Sequence, residues 1–150
     1  MGIGEDIKQA RFRNEWQKAT INMLYTHSWV NERIKTFLEQ YDLSTQQYNV
    51  LRILNGSFPN PLSTQEIRNR MLDKASDASR IVDRLILKGL VTKKTCKADK
   101  RLVDVVISEE GRKLLAVVNE KVDALDEHIL QNLTEKEAVT LNELLDKIRK

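Results

Sequence analysis

The sequence predicts a mainly α fold carrying one small β-hairpin, and three observations carry that prediction. Between residues 63 and 107 two short helical patterns separated by a turn are followed at once by two β-prone runs around a basic tip. Three S/T-x-x-E/Q signatures mark helix starts, and apolar stripes at helical spacing run through both ends of the chain. The central order is that of a helix-turn-helix with a wing, set between N- and C-terminal helices.

Residues 5–40 hold no proline or glycine and are rich in helix formers, so one long helix is expected there. Trp16, Met23, Val30, Ile34, Phe37 and Tyr41 trace its apolar stripe, and Ile21, Leu24, Trp29 and Leu38 widen it beyond what one neighbour covers. Such a helix suits contact with both its own domain and a second subunit. Ser44-x-x-Gln47, Ser63-x-x-Glu66 and Thr134-x-x-Glu137 are capping boxes that place helix starts near 45, 64 and 135, with Leu43 and Tyr48, and Leu62 and Ile67, at staple positions. The helix over 45–55 should bury Tyr48, Leu51 and Leu54. Residues 55–61 are dense in turn formers, with Phe58 expected to tuck beneath as a minor core residue.

In the second helix of the pair, Ile81, Val82, Leu85 and Ile86 form the buried stripe, leaving Ser76, Ser79, Arg80, Asp83 and Arg84 outside. Gly89 followed by Leu90 is a Schellman ending, since glycine tolerates the left-handed conformation that closes the helix. Residues 90–92 and 103–107 are the hairpin strands, flanking the charged tip at 97–101. Ser108 should cap a long helix with Glu109 and Glu110 at its positive end. Leu115, Val118, Val122, Leu125 and Ile129 make a heptad-like seam, and after the Thr134 cap Ala138, Leu141, Leu145 and Ile148 continue an apolar face. A seam so far from the hairpin needs a partner, and a two-fold dimer supplies one.

Residues 74–101 carry nine basic side chains against three acidic, a net of +6 in a chain of net +3, so the remainder is −3. Positive charge gathers on the segment that would face phosphate. Short polar groups let a helix sit close in the major groove, and an arginine fork can pair with O6 and N7 of guanine. Ser76, Asp77, Ser79, Arg80 and Arg84 are therefore the candidate reading face, while Ser63, Thr64, Lys74, Lys97 and Lys100 are candidates for holding phosphates.

The run from Ala75 to Arg112 resembles the MarR-type winged helix-turn-helix transcriptional regulators. The resemblance is carried by Ser79-Arg80-Ile81-Val82-Asp83-Arg84-Leu85, Lys88-Gly89-Leu90-Val91, Asp99-Lys100-Arg101 and Ile107-Ser108-Glu109-Glu110-Gly111-Arg112. It implies a homodimer on a pseudo-palindromic operator, acting as a repressor, with residues 1–42 and 112–150 as the helical dimerisation region and 43–111 as the winged helix-turn-helix DNA-binding domain. It further implies that Arg101 enters the minor groove with Asp99 orienting it. It also implies a pocket between the first helix and the winged helix, which here would be lined by Trp16, Tyr25, Trp29, Tyr48 and Arg52 and release DNA on binding a small aromatic effector. Two departures are visible: Arg68 stands where the family usually has a small residue, which bears on the packing of that helix or places an extra arginine to touch phosphate, and Ile107-Ser108 replaces Leu-Thr.

Other classes are poorly served. No apolar run approaches the roughly 20 residues that span a bilayer, and the start lacks a signal-peptide layout, so no membrane partner is expected. One cysteine, Cys96, excludes an internal disulfide and suits a reducing, cytoplasmic setting; it reads as a small strand residue, with a redox switch among Lys93, Lys94 and Lys97 as the alternative. Two histidines without a partnered nucleophile, a phosphate-cradling glycine loop or metal-ligand spacing argue against an enzyme or a metal or other cofactor, and His27 reads as a packing or hydrogen-bonded residue ahead of a ligand-sensing or metal-binding one. The alternative is a winged helix used only for protein–protein contact, which the clustered +6 charge disfavours.

Overall fold

The computed structural model describes residues 2–150. Its elements are α1 (Ile3–Asp6), α2 (Glu15–Glu39), α3 (Thr45–Ser57), α4 (Thr64–Arg70), α5 (Ala78–Leu87), β1 (Val91–Thr95), β2 (Val103–Ile107), α6 (Glu109–Ile129) and α7 (Glu135–Ile148). The expectation of one helix over 5–40 is corrected at its start. Asn14 caps α2 by accepting from the Gln17 amide at 2.8 Å, and the Gln17 side chain reaches back to the Arg13 amide. Asn14 is an N-cap and Gln17 reaches back one residue beyond the position a capping box would use, and the helix starts at Glu15 rather than running back through residues 7–13. The short α1 buries Ile3 instead.

The three capping boxes at Ser44, Ser63 and Thr134 all form, with side chain and backbone bonds in both directions. They start α3, α4 and α7 where expected. The helix α3 is the centre of the core: Val50, Leu51 and Leu54 are fully buried and meet Ile67, Met71, Val82, Leu85 and Val105. Each such side chain removed from water contributes roughly 1.5–3 kcal/mol before chain entropy is charged against it. Phe58 is not part of this core. It is 39% exposed, and the guanidinium of Arg112, in the first turn of α6, sits 4.0 Å over its ring.

Gly89 has φ +73°, its amide donates to Ile86 and the Leu90 amide donates to Leu85, which is the Schellman pattern that turns α5 into β1. Strand β1 runs further than residues 90–92, pairing antiparallel with β2 from Val91 opposite Ile107 to Thr95 opposite Val103. Leu62 adds a single bridge to Val105 through two backbone bonds, so the chain entering α4 is pinned to the wing. Ser108 caps α6 by accepting from Gly111, and its hydroxyl donates to the Gly89 carbonyl at 2.7 Å. Gly111 is needed there, since a Cβ would lie 2.2 Å from the Leu90 oxygen.

The ends of the chain pack differently. In α6, Leu115 and Val118 are buried and join the central core, as does Leu38 of α2, so that core continues past residues 43 and 111. Further along, Val122, Leu125 and Ile129 are only half-covered, and α7 buries none of its residues. Leu38 is the one buried residue of the 25 in α2.

Candidate nucleic-acid interface

Three elements meet around a groove of about 610 Å³: α4, the turn and first residues of α5, and the tip end of the wing where β2 begins. Ser63, Thr64, Ser76, Asp77, Ser79 and Arg101, all singled out from the sequence, line it together. Asp77 is there as a cap, its carboxylate accepting from the Arg80 amide at 3.1 Å, so its charge is directed into α5. The amphipathic α5 is oriented as expected: Ala78, Val82 and Leu85 are buried, and Ser79, Arg80, Asp83 and Arg84 are exposed. Arg80 and Arg84 have no carboxylate partner among the described residues, whereas Asp83 is taken by Lys93 at 2.8 Å.

The wing is built to present one guanidinium. Backbone bonds from Cys96 to Leu102 and from Leu102 to Asp99 close the tip, and the Asp99 carboxylate accepts from the Arg101 amide, Nε and a terminal nitrogen, each at 3.0 Å. The Arg101 side chain stays 89% exposed. The bidentate pair holds the Asp99 carboxyl below its ordinary range, through the Arg101 side chain first and its amide second, and raises Arg101 in return. Arg101 is thus fixed in direction without being buried. Lys97 and Lys100 are exposed at the same tip, outside the groove, while Lys74 is exposed beyond α4 with its ammonium on the Asn69 carbonyl. Cys96 is half-buried in the wing.

A second cavity, of about 860 Å³, lies between α2, α3, the α4–α5 turn and α6. Tyr48 and Arg52 line it as expected. Tyr48 donates from its hydroxyl to Asn119 Oδ1 at 3.1 Å, and burial raises its pKa, opposed by the nearby Arg52 charge. Trp16, Tyr25 and Trp29 do not line it, which corrects the expectation for those three. The α2 side chains facing the cavity are His27, Val30, Asn31, Ile34, Phe37 and Leu38. Tyr25 and Trp29 lie two residues before and after His27, hence each about 160° round the helix. Trp16 has the right azimuth but sits about 16 Å further along the axis, 82% exposed. Trp29 carries the Arg33 guanidinium 3.3 Å over its ring. The signal for the true lining was the stripe through Val30, Ile34 and Phe37; aromatic type was a poorer guide than spacing. Leu102 also lines the groove without having been singled out from the sequence, and so does Arg68, expected there only as an extra arginine that could touch phosphate.

No group of three or more His, Cys, Asp or Glu gathers into a metal-binding cluster among the described residues, and no helix there is long and apolar enough to cross a membrane. A model of the MarR family matches residues 41–102. A curated relative, the uncharacterized HTH-type transcriptional regulator YpoP of Bacillus subtilis, is 29% identical over 121 residues, covering 81% of this chain and 84% of that one. Among solved structures, a MarR transcription factor from Planctomyces limnophilus is 32% identical, with a TM-score of 0.71 over 91% of this chain and 98% of that one. A mutant MarR from E. coli complexed with operator DNA is 22% identical and superimposes with a TM-score of 0.81 over 93% and 99%. With the hairpin wing, the exposed α5 face and the fold all in agreement, the chain belongs to the MarR family of winged helix-turn-helix DNA-binding transcriptional regulators.

Proposed function

We propose that the chain binds a pseudo-palindromic operator as a homodimer and represses transcription by occupying it. The observation that carries this reading is the meeting of Ser63, Thr64, Ser76, Ser79 and Arg101 on one groove, beside the unpaired Arg80 and Arg84. Two copies would set their α5 helices in successive major grooves about 34–36 Å apart, with each Arg101 in the flanking minor groove, favoured where A·T-rich sequence narrows it. Lys74, Lys97 and Lys100 hold phosphates and set affinity, and the α5 face sets sequence. The dimer is formed by residues 1–42 and 112–150, where α7 leaves Leu144 54% and Ile148 62% exposed in the single chain.

The effector reading rests on the 860 Å³ cavity, whose wall includes Met71, Leu72 and Ala75 of the turn that leads into α5. A small aromatic acid seated between Phe37 and Tyr48, with its carboxylate toward Arg52, would bear on that turn. It would release DNA to the extent that it binds the DNA-free arrangement more tightly. A thermal-shift panel of aromatic acids tests this, and the absence of any rise in melting temperature refutes it.

The DNA reading is tested by a gel-shift salt titration on a duplex selected from a random pool. Six to ten phosphate contacts give a log–log slope of about −5 to −9. Arg84→Ala should cost roughly 1–3 kcal/mol on the selected duplex and relax its sequence preference, whereas Lys97→Ala should weaken every duplex alike and flatten the slope by about one. Equal losses on selected and scrambled DNA for both variants would refute the division of labour. Addition of the protein to a transcription reaction on a promoter bearing the selected site should lower transcript yield.

A further inference from the structure

We propose that Arg68 is a further DNA-contacting residue that grips a backbone phosphate at the groove, on the opposite side from Arg101. Arg68 lies in the last turn of α4, and helical side chains lean toward the N-terminus, so it covers the turn of Thr64 and Gln65. It lines the same groove as Ser63, Thr64, Ser76 and Arg101, approaching from α4 where Arg101 approaches from the wing.

The charges around it leave it available. Glu66, also on α4, is turned back to the Ser63 amide at 2.7 Å, and Asp77, in the same groove, is turned to the Arg80 amide, so both carboxylates serve as caps. Among the described residues Arg68 forms no ion pair, in contrast to Arg101 with Asp99 and Lys93 with Asp83. The groove sets an exposed guanidinium beside the hydroxyls of Ser63, Thr64, Ser76 and Ser79, with Asp77 engaged as the α5 cap, and this donor-rich arrangement suits an acceptor-only phosphodiester. A phosphate is favoured over a base edge because α4 is the first helix of the pair, the one that crosses the DNA backbone while the second enters the groove.

This inference rests on the DNA-binding reading above, and one assay separates the two. The full chain, Arg68→Ala and Arg68→Lys are titrated across a salt series onto a selected operator duplex and a scrambled duplex of equal length. Arg68→Ala is expected to bind both about tenfold more weakly at low salt, with a log–log slope smaller by about 0.9, and Arg68→Lys to restore most of the slope. Because Arg68 is exposed, the alanine variant should keep the parent unfolding midpoint. Unchanged binding of both duplexes by Arg68→Ala overturns the inference while leaving the DNA reading intact, as does a loss confined to the operator duplex, which would make Arg68 a base reader. Failure of the parent chain to bind either duplex overturns both.

Discussion

The helix α5 hides Val82 and Leu85 completely beneath α3 and β1, whereas α7, four residues longer and with as many apolar side chains, buries none of its own. Both have an amphipathic pattern, and such a pattern is a demand for burial that some surface must meet. For α5 the surface lies in the same chain. For α7, and for the exposed N-terminal half of α2, the proposed second copy supplies it. The difference separates a helix whose apolar face is already covered within the chain from one whose apolar face the single chain leaves in water.

The comparison breaks most sharply if α7 proves indifferent to charge. The pair Leu141→Glu and Leu144→Glu places two carboxylates on its apolar face and should shift the sedimenting species from dimer to monomer. Operator affinity should fall by about a hundredfold or more as the two half-sites cease to be linked. A variant that remains dimeric would remove α7 from the interface. A core truncation tests the other half of the contrast: Leu85→Ala should lower unfolding stability by about 2–5 kcal/mol in a urea titration, because a close-packed interior relaxes only in part around the space left. The smallest effect belongs to the α4 cap, where Ser63→Ala should cost about 1 kcal/mol. In the parent the Ser63 amide and hydroxyl hold the Glu66 carboxyl below its ordinary value. The stabilisation it provides is therefore present above the ordinary carboxylate range and lost as pH falls through the depressed value. That acid-side loss, read from unfolding midpoints against pH, should diminish in Ser63→Ala.

The same contrast accounts for what could be read in advance. The boxes at Ser44, Ser63 and Thr134, the Gly89 ending and the α5 stripe involve partners within six residues of one another, so their chemistry is written consecutively. The break before α2 was not legible because its cap is an asparagine, with Gln17 reaching back to Arg13 instead of to the cap residue, amid residues that favour helix on either side. Of the groove, six residues were legible because helix-turn-helix order brings those positions together. Arg68 was legible only as an extra arginine that could touch phosphate; that it lines the groove, which Arg80 and Arg84 do not, required the coordinates.

By itself the sequence determined where helices begin, which face of α5 is apolar, that two strands close around a basic tip, and that positive charge collects there. Each of these follows from periodicity, capping or composition within a few residues. The tertiary structure decided which α2 side chains look into the cavity, that Phe58 lies under Arg112 at the surface, and that Asp99 steers Arg101 while Arg68 remains unpaired across the groove. Those outcomes depend on the azimuth at which one helix meets another and on competition among neighbours for the same charge, and neither is fixed until distant segments have packed together.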